Sequence, residues 1–415
     1  MIEWPRWLTW QAVGPPDTMV LLAAVVVAGA LAGEFIARHS RLPRVVGYTL
    51  AGWVAALGGF GVTMPLAPTA RLFIDLALAL LLFEIGTRVR LRWLRHNPGL
   101  MATSLLESAA AAGAVYAALV YLDQPPLVAG ACAVLAIPAS AAVAGRVAQE
   151  IGAEGQVTQR MTALTALNTL YGVLALVVLK AWIETEHAPD LMTAVQTVVF
   201  AFLGALVLAV LLALTASWVT RRYDLRHEGP MLLVLGLVLL AVSTARWLNV
   251  STLLVPLLAG LLLRNWSDRA WAWPRHFGTA GGLLVLLLFV MVGSAWTPQV
   301  LLAGGAAALA LLVARGAAKA LVVCLLSRWS GASLSKGVAL SLTLMPLSGT
   351  ALVMLSELHR ADPAFGASMA PIVLTAIAVV EILGPLAVLV ALRWADEVPT
   401  PGRVSAPASA NKGTP

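Results

Sequence analysis

Four charged residues stand far from any loop in a chain that is otherwise mostly apolar: Glu107, Arg315, Lys319 and Glu381. A charge inside an apolar run is expensive, so each is a candidate for handling ions or protons. Arg315 and Lys319 are four apart and share one face of a helix. Two acids and two bases at such depth can neutralise one another, and a lone one would be costly. One reading is structural, a pair of buried salt bridges. The other makes one carboxylate a proton or cation carrier, released from its basic partner when substrate arrives. Asn168 and Thr169 add side-chain oxygens suited to a dehydrated cation, although neither titrates usefully. No nucleophile–base arrangement, phosphate loop or metal-binding histidine cluster is present, so neither an enzyme nor a cofactor is expected.

These residues are carried by a chain of 415 residues, 60% hydrophobic and only 11% charged. A soluble domain has about 25% charged residues, because its surface must be solvated. Spanning a bilayer takes about 20 apolar residues per helix, and such runs recur throughout. They predict thirteen segments, at about 18–38, 44–60, 71–89, 99–121, 127–147, 160–182, 191–219, 230–247, 251–264, 278–296, 299–327, 335–357 and 367–393. Glu107 falls about nine residues into segment 4, roughly 13 Å at the helical rise. The fold class is therefore all-α and polytopic. The net charge of +7 comes without a basic patch interleaved with aromatics, which excludes a nucleic-acid partner; lipid is the expected surroundings.

Charge orients the chain. With thirteen spans, the loops of one side collect 20 of the 27 basic residues, and the other side has only Arg6, Arg71, Arg246 and Arg360. Positive charge stays on the cytoplasmic side, so the amino terminus is expected outside and the carboxyl terminus inside. Residues 1–17 carry Trp4, Trp7 and Trp10 at a spacing of three and are expected to form an interfacial segment. The domain spans 18–393, and the polar stretch 394–415 is expected to be a disordered cytoplasmic tail. Glu34, Asp75 and Glu84 each have an arginine four residues away (Arg38, Arg71 and Arg88), an arrangement expected of anchoring pairs at helix ends.

If segment 7 is a linker, segments 1–6 and 8–13 enter the membrane from opposite sides, as in an inverted repeat. The corresponding segments 5 and 12 are both interrupted, by Ala-Ile-Pro-Ala-Ser at 136–140 and Met-Pro-Leu-Ser-Gly-Thr at 345–350. Proline removes a backbone donor and clashes with the preceding turn. Pro138, Ser140, Pro346, Ser348 and Gly349 are thus expected to break two helices near mid-membrane, where unwound backbone can line a site.

The chain resembles the membrane domain of the monovalent cation/proton antiporter superfamily, in its Kef-type bacterial branch. The resemblance rests on Leu-Pro-Arg-Val-Val-Gly-Tyr-Thr-Leu-Ala-Gly (42–52), Leu-Leu-Leu-Phe-Glu-Ile-Gly (80–86), the two interrupted segments, Lys319 nine residues before Arg328, and Gly384-Pro385 in the last segment. It implies a dimerisation part, a mobile core with two crossing broken helices, and a homodimer in the bacterial inner membrane. It also implies exchange of a monovalent cation, Na+ or K+, for protons. The family's Asn/Gln/Asp–Asp pair on segment 6 matches Asn168 and Thr169, so a hydroxyl stands where a carboxylate is expected. Lys319 matches the basic residue of the neighbouring helix. The substitution leaves three expectations open: Glu107 or Glu381 replaces the missing acid beside Lys319 or Arg315; passage is uncoupled or anion-related; or the chain is a degenerate antiporter fold that senses ions or binds a partner.

Overall fold

A computed structural model describes residues 18–40, 42–60, 68–185, 191–223, 228–266, 275–347 and 349–399. Among these residues the chain is all-helical. In order, the helices are α1 (Thr18–Ser40), α2 (Arg44–Ala55, ending in a π-turn at Ala56–Phe60), α3 (Pro68–Arg88), α4 (Leu91–Arg95), α5 (Pro98–Tyr121), α6 (Pro126–Leu135), α7 (Ala141–Glu150) and α8 (Gln156–Thr185). They continue with α9 (Leu191–Arg222), α10 (Glu228–Trp247), α11 (Leu254–Trp266), α12 (Arg275–Ser294), α13 (Pro298–Leu326), α14 (Leu334–Thr343), α15 (Gly349–Ala361) and α16 (Pro363–Trp394).

Two of the thirteen predicted segments are split. Segment 5 becomes the half-helices α6 and α7, and segment 12 becomes α14 and α15. The short α4 is a surface turn between spans. The remaining helices each match one predicted segment to within a few residues. Six described helices are long and apolar enough to cross a membrane by length and composition. Their outward faces carry apolar side chains such as Leu31, Phe200, Leu302 and Leu325, as a lipid-facing surface requires.

The helices pack as two groups. One brings α2 against α12 and α3 against α11; the other brings α13 against α5 and α16, and α16 against α15. Glycines let the backbones approach in the first group: a methyl added at Gly52 or Gly293 would strike the facing α12 or α2 backbone, and one at Gly86 or Gly260 the facing α11 or α3 backbone. Helices in lipid associate through such close packing, because no hydrophobic force separates them from the acyl chains.

The anchoring pairs are present where they can be seen. Glu34 accepts from Arg38 at 2.6 Å and also from Arg44 at 3.1 Å. Glu84 pairs with Arg88 at 2.5 Å. Asp75 pairs with Arg246 of α10; the side chain of Arg71 lies outside the described residues. Trp4, Trp7, Trp10, Ser348 and the stretch 400–415 also lie outside them. The stretch expected to be a disordered tail begins docked: the Glu397 carboxylate accepts from the N–H groups of Val157 and Thr158 at 2.6 and 2.8 Å, and from the Thr158 hydroxyl at 2.8 Å. It thereby caps the first turn of α8, where backbone donors have no intrahelical partner.

Candidate functional site

The two broken helices meet at their breaks. The Ser140 N–H donates to Pro346 O at 2.8 Å, joining one unwound stretch to the other. Ser140 also caps α7 by accepting from Val143 N–H at 3.1 Å. Pro138 sits on Gly172 of α8, and Pro346 on Gly384 of α16; a methyl at either glycine would lie 2.5 or 2.9 Å from the proline ring. Gly349 opens α15 as its first residue.

Each half-helix ending at the crossing points carbonyls into the protein interior, with no further turn to satisfy them. Arg315 supplies the donors. Its Nε donates to Ala136 O at 2.8 Å, Nη1 to Met345 O at 2.7 Å, and Nη2 to Pro138 O at 2.9 Å and Leu344 O at 3.2 Å. One planar guanidinium thus closes the carboxyl ends of both α6 and α14. A cation there also offsets the partial negative charge that two helix termini bring together. Arg315 and Lys319 are among the largest fully buried side chains in the protein.

One turn along α13, Lys319 Nζ donates to Glu107 Oε2 at 2.6 Å and to Ile137 O at 3.1 Å. Both side chains of this ion pair are fully buried. Glu107 belongs to a polar face of α5: Ser104 lies one turn before it and Ser108 directly after it, and the two hydroxyls donate to Asn168 Oδ1 at 3.2 and 3.0 Å. Thr169 turns its hydroxyl back onto its own helix, donating to Thr165 O at 2.8 Å. Two polar atoms of the cluster have no partner among the described residues, Glu107 Oε1 and Asn168 Nδ2. A hydroxyl pair, an amide oxygen, a carboxylate and the Ile137 carbonyl form an oxygen-rich set around one lysine, the donor type that hard monovalent cations take.

Four predicted residues therefore gather in one place: Asn168, Lys319, Arg315 and Glu107, with Thr169 beside them. Glu381 does not join them. It is 1% exposed on α16, and neither of its oxygens has a hydrogen-bond partner among the described residues. The expected mutual neutralisation of two acids and two bases reduces to one ion pair, because Arg315 spends its donors on backbone carbonyls. Ser104 and Ser108 were not singled out from the sequence. Their signal is the i, i+3, i+4 pattern Ser104–Glu107–Ser108 inside an apolar helix.

Cavities approach the cluster from both ends. On the arginine-rich face, a vestibule of about 570 Å³ opens among Arg88, Arg90, Gln149, Thr158 and Thr162. A narrow chamber lined by Glu84, Arg146, Thr162 and Thr165 continues it along α8, to one turn below Thr169. On the opposite face, a cavity of about 520 Å³ is lined by Lys180, Arg246, Glu357 and Arg360.

Two interrupted helices crossing at mid-protein and closed by a buried cation, with cavities opening toward them from opposite faces, define an inverted-repeat transporter fold of the sodium/proton antiporter kind. Residues 21–394 match the family model described as "Sodium/hydrogen exchanger, transmembrane", and the chain belongs to that family of cation/proton antiporters. It is a multi-pass membrane protein of a transporter family, not an enzyme family. Among solved structures it is similar to the sodium proton antiporter MjNhaP1 from Methanocaldococcus jannaschii at pH 8, with a TM-score of 0.63 and 18% identity over 91% of this chain and 95% of that one. A second structure of MjNhaP1, an electron-microscopy map, matches with the same TM-score and identity over 91% and 96%. No curated protein matches the chain.

Proposed function

We propose that this protein exchanges a monovalent cation, Na+ or K+, for protons, and that the Glu107–Lys319 pair carries the exchange. The observation behind this reading is the 2.6 Å pair at zero exposure, set against Asn168 and its two serines. An arriving cation would compete with Lys319 Nζ for Glu107. Glu107, Asn168, Ser104 and Ser108 would supply its oxygens, with Thr169 adjacent. Lys319, displaced from its carboxylate, would give up a proton. One positive charge enters and one leaves, so the buried compartment keeps its net charge and avoids the cost of a bare ion. Arg315 takes no part in the exchange in this scheme: it holds the broken helices around the site. Pro138, Ser140, Pro346, Ser348 and Gly349 form the crossing that lets the site face either side.

The same reading makes the chain a Kef-type member of the family in which Thr169 stands in place of the usual segment-6 carboxylate. It places the protein as a homodimer in a bacterial inner membrane, amino terminus outside and carboxyl terminus in the cytoplasm, with an interfacial segment at 1–17 and a cytoplasmic tail. The hydroxyl at 169 favours a second reading, an uncoupled pathway or an ion-sensing module that keeps the fold. Purified protein in proteoliposomes decides between the two: an imposed pH gradient should drive sodium, potassium or lithium flux, and Glu107→Gln should abolish it. Flux that is untouched in Glu107→Gln refutes the proposed site. Absence of flux for all three ions in folded wild-type protein favours the second reading.

A further inference from the structure

Glu381 is a fully buried carboxyl whose two oxygens meet no donor among the described residues, whereas Glu107 is paired with Lys319. The helices packed against α16 are α13, α15, α14, α7, α6 and α2. Arg315 and Lys319 of α13 are committed to the crossing and to Glu107. Glu357, His359 and Arg360 of α15, Lys336 of α14, Arg146 and Glu150 of α7, and Arg44 and Tyr48 of α2 make no bond to it; α6 has no charged residue. An ionised carboxylate in that setting would be left uncompensated, which costs several kcal/mol. Binding a proton would remove that charge.

Its position in the fold is the second observation. In α8, Gly172 receives Pro138 of the first break; in α16, Gly384 receives Pro346 of the second. Aligning these two glycines places Thr169-Leu-Tyr-Gly172-Val-Leu-Ala175 on Glu381-Ile-Leu-Gly384-Pro-Leu-Ala387. Glycine, leucine and alanine coincide at three of the seven positions, and Glu381 is the inverted-repeat counterpart of Thr169. Each residue lies one turn before the glycine that receives the proline of its own break. The acid absent from the first repeat is present in the second.

We propose that Glu381 is a second exchangeable site, a proton-binding carboxyl on the opposite repeat that discharges when the cation enters beside Glu107. In that step the Glu381 Oε–H bond breaks and its proton passes through water to the Lys319 amine that the exchange has left neutral, so one proton leaves for each cation that enters and the buried net charge is unchanged. This rests on the exchange reading above, and a separate measurement tests it. Infrared difference spectra are recorded on folded, detergent-solubilised protein as sodium, potassium and lithium are added in turn. The expected result is loss of the carbonyl band of a protonated buried carboxyl with at least one ion. That band should be missing in Glu381→Gln, shifted in Glu381→Asp and present before ion addition in Glu107→Gln. In proteoliposomes Glu381→Gln should lower coupled proton movement at least tenfold. Should Glu381→Gln fail to fold, the shift in Glu381→Asp carries the assignment. A band that survives Glu381→Gln, or one that none of the three ions alters, overturns the proposal. Failure of the Glu107 site shows elsewhere, as flux that Glu107→Gln leaves intact.

Discussion

Removing one partner of the Glu107–Lys319 pair should cost far more than removing both. The side chains touch at 2.6 Å with no exposure, so Lys319→Met leaves the Glu107 charge without its ion-pair partner. Stranding a buried charge in this way costs about 3–5 kcal/mol. Glu107→Gln strands Lys319, which keeps only the Ile137 carbonyl at 3.1 Å, at a similar expected cost. The double variant Glu107→Gln/Lys319→Met buries two neutral side chains of nearly the same volume and strands no charge. The expected coupling is therefore large, at least about 3 kcal/mol, well above the 0.5 kcal/mol to which independent sites add. It can be read from equilibrium unfolding of the four proteins in mixed micelles of mild detergent and dodecyl sulfate. A double variant no more stable than the weaker single variant would refute the argument, since the two charges would then not be compensating each other. Transport should be lost in all three variants, which separates stability from function.

Three further perturbations follow from the geometry. Arg315→Met leaves the carbonyls of Ala136, Pro138, Leu344 and Met345 without their donor; at about 1–3 kcal/mol for each unmet buried group, unfolding in mixed micelles should show a loss of at least about 3 kcal/mol, and flux should disappear. Gly172→Ala and Gly384→Ala drive a methyl into Pro138 and Pro346, so both should lose transport in proteoliposomes, whereas Gly113→Ala, where an added methyl meets open space, should be silent. Glu397→Ala removes three hydrogen bonds at the start of α8 and should cost about 1–2 kcal/mol, the range of a lost helix cap, while the shorter Glu397→Asp should recover part of it; hydrogen exchange at Val157 and Thr158 provides the check.

The number and placement of the spanning helices were legible in the sequence, because apolar run length is a local property and the bilayer sets it. Both helix breaks were legible as well, since proline acts on its own turn. The anchoring pairs Glu34–Arg38 and Glu84–Arg88 lie four residues apart on one helix and follow from the same local periodicity. Asp75 shows the limit of that reasoning: among the described residues it pairs with Arg246, 171 residues away, a partner no helical spacing can point to.

At the four deep charges that opened the sequence analysis, composition and depth alone identified Glu107, Arg315, Lys319 and Glu381 as exceptional, because the cost of a buried charge does not depend on its partner's identity. Their division of labour was decided by tertiary structure. Arg315 and Lys319 sit one turn apart on α13, yet one closes two helix ends while the other meets an acid 212 residues away. Glu381, equally deep, meets neither. An ion pair needs its atoms within about 4 Å, and a separation that small between distant segments is set only when the half-helices cross and the glycines admit their prolines.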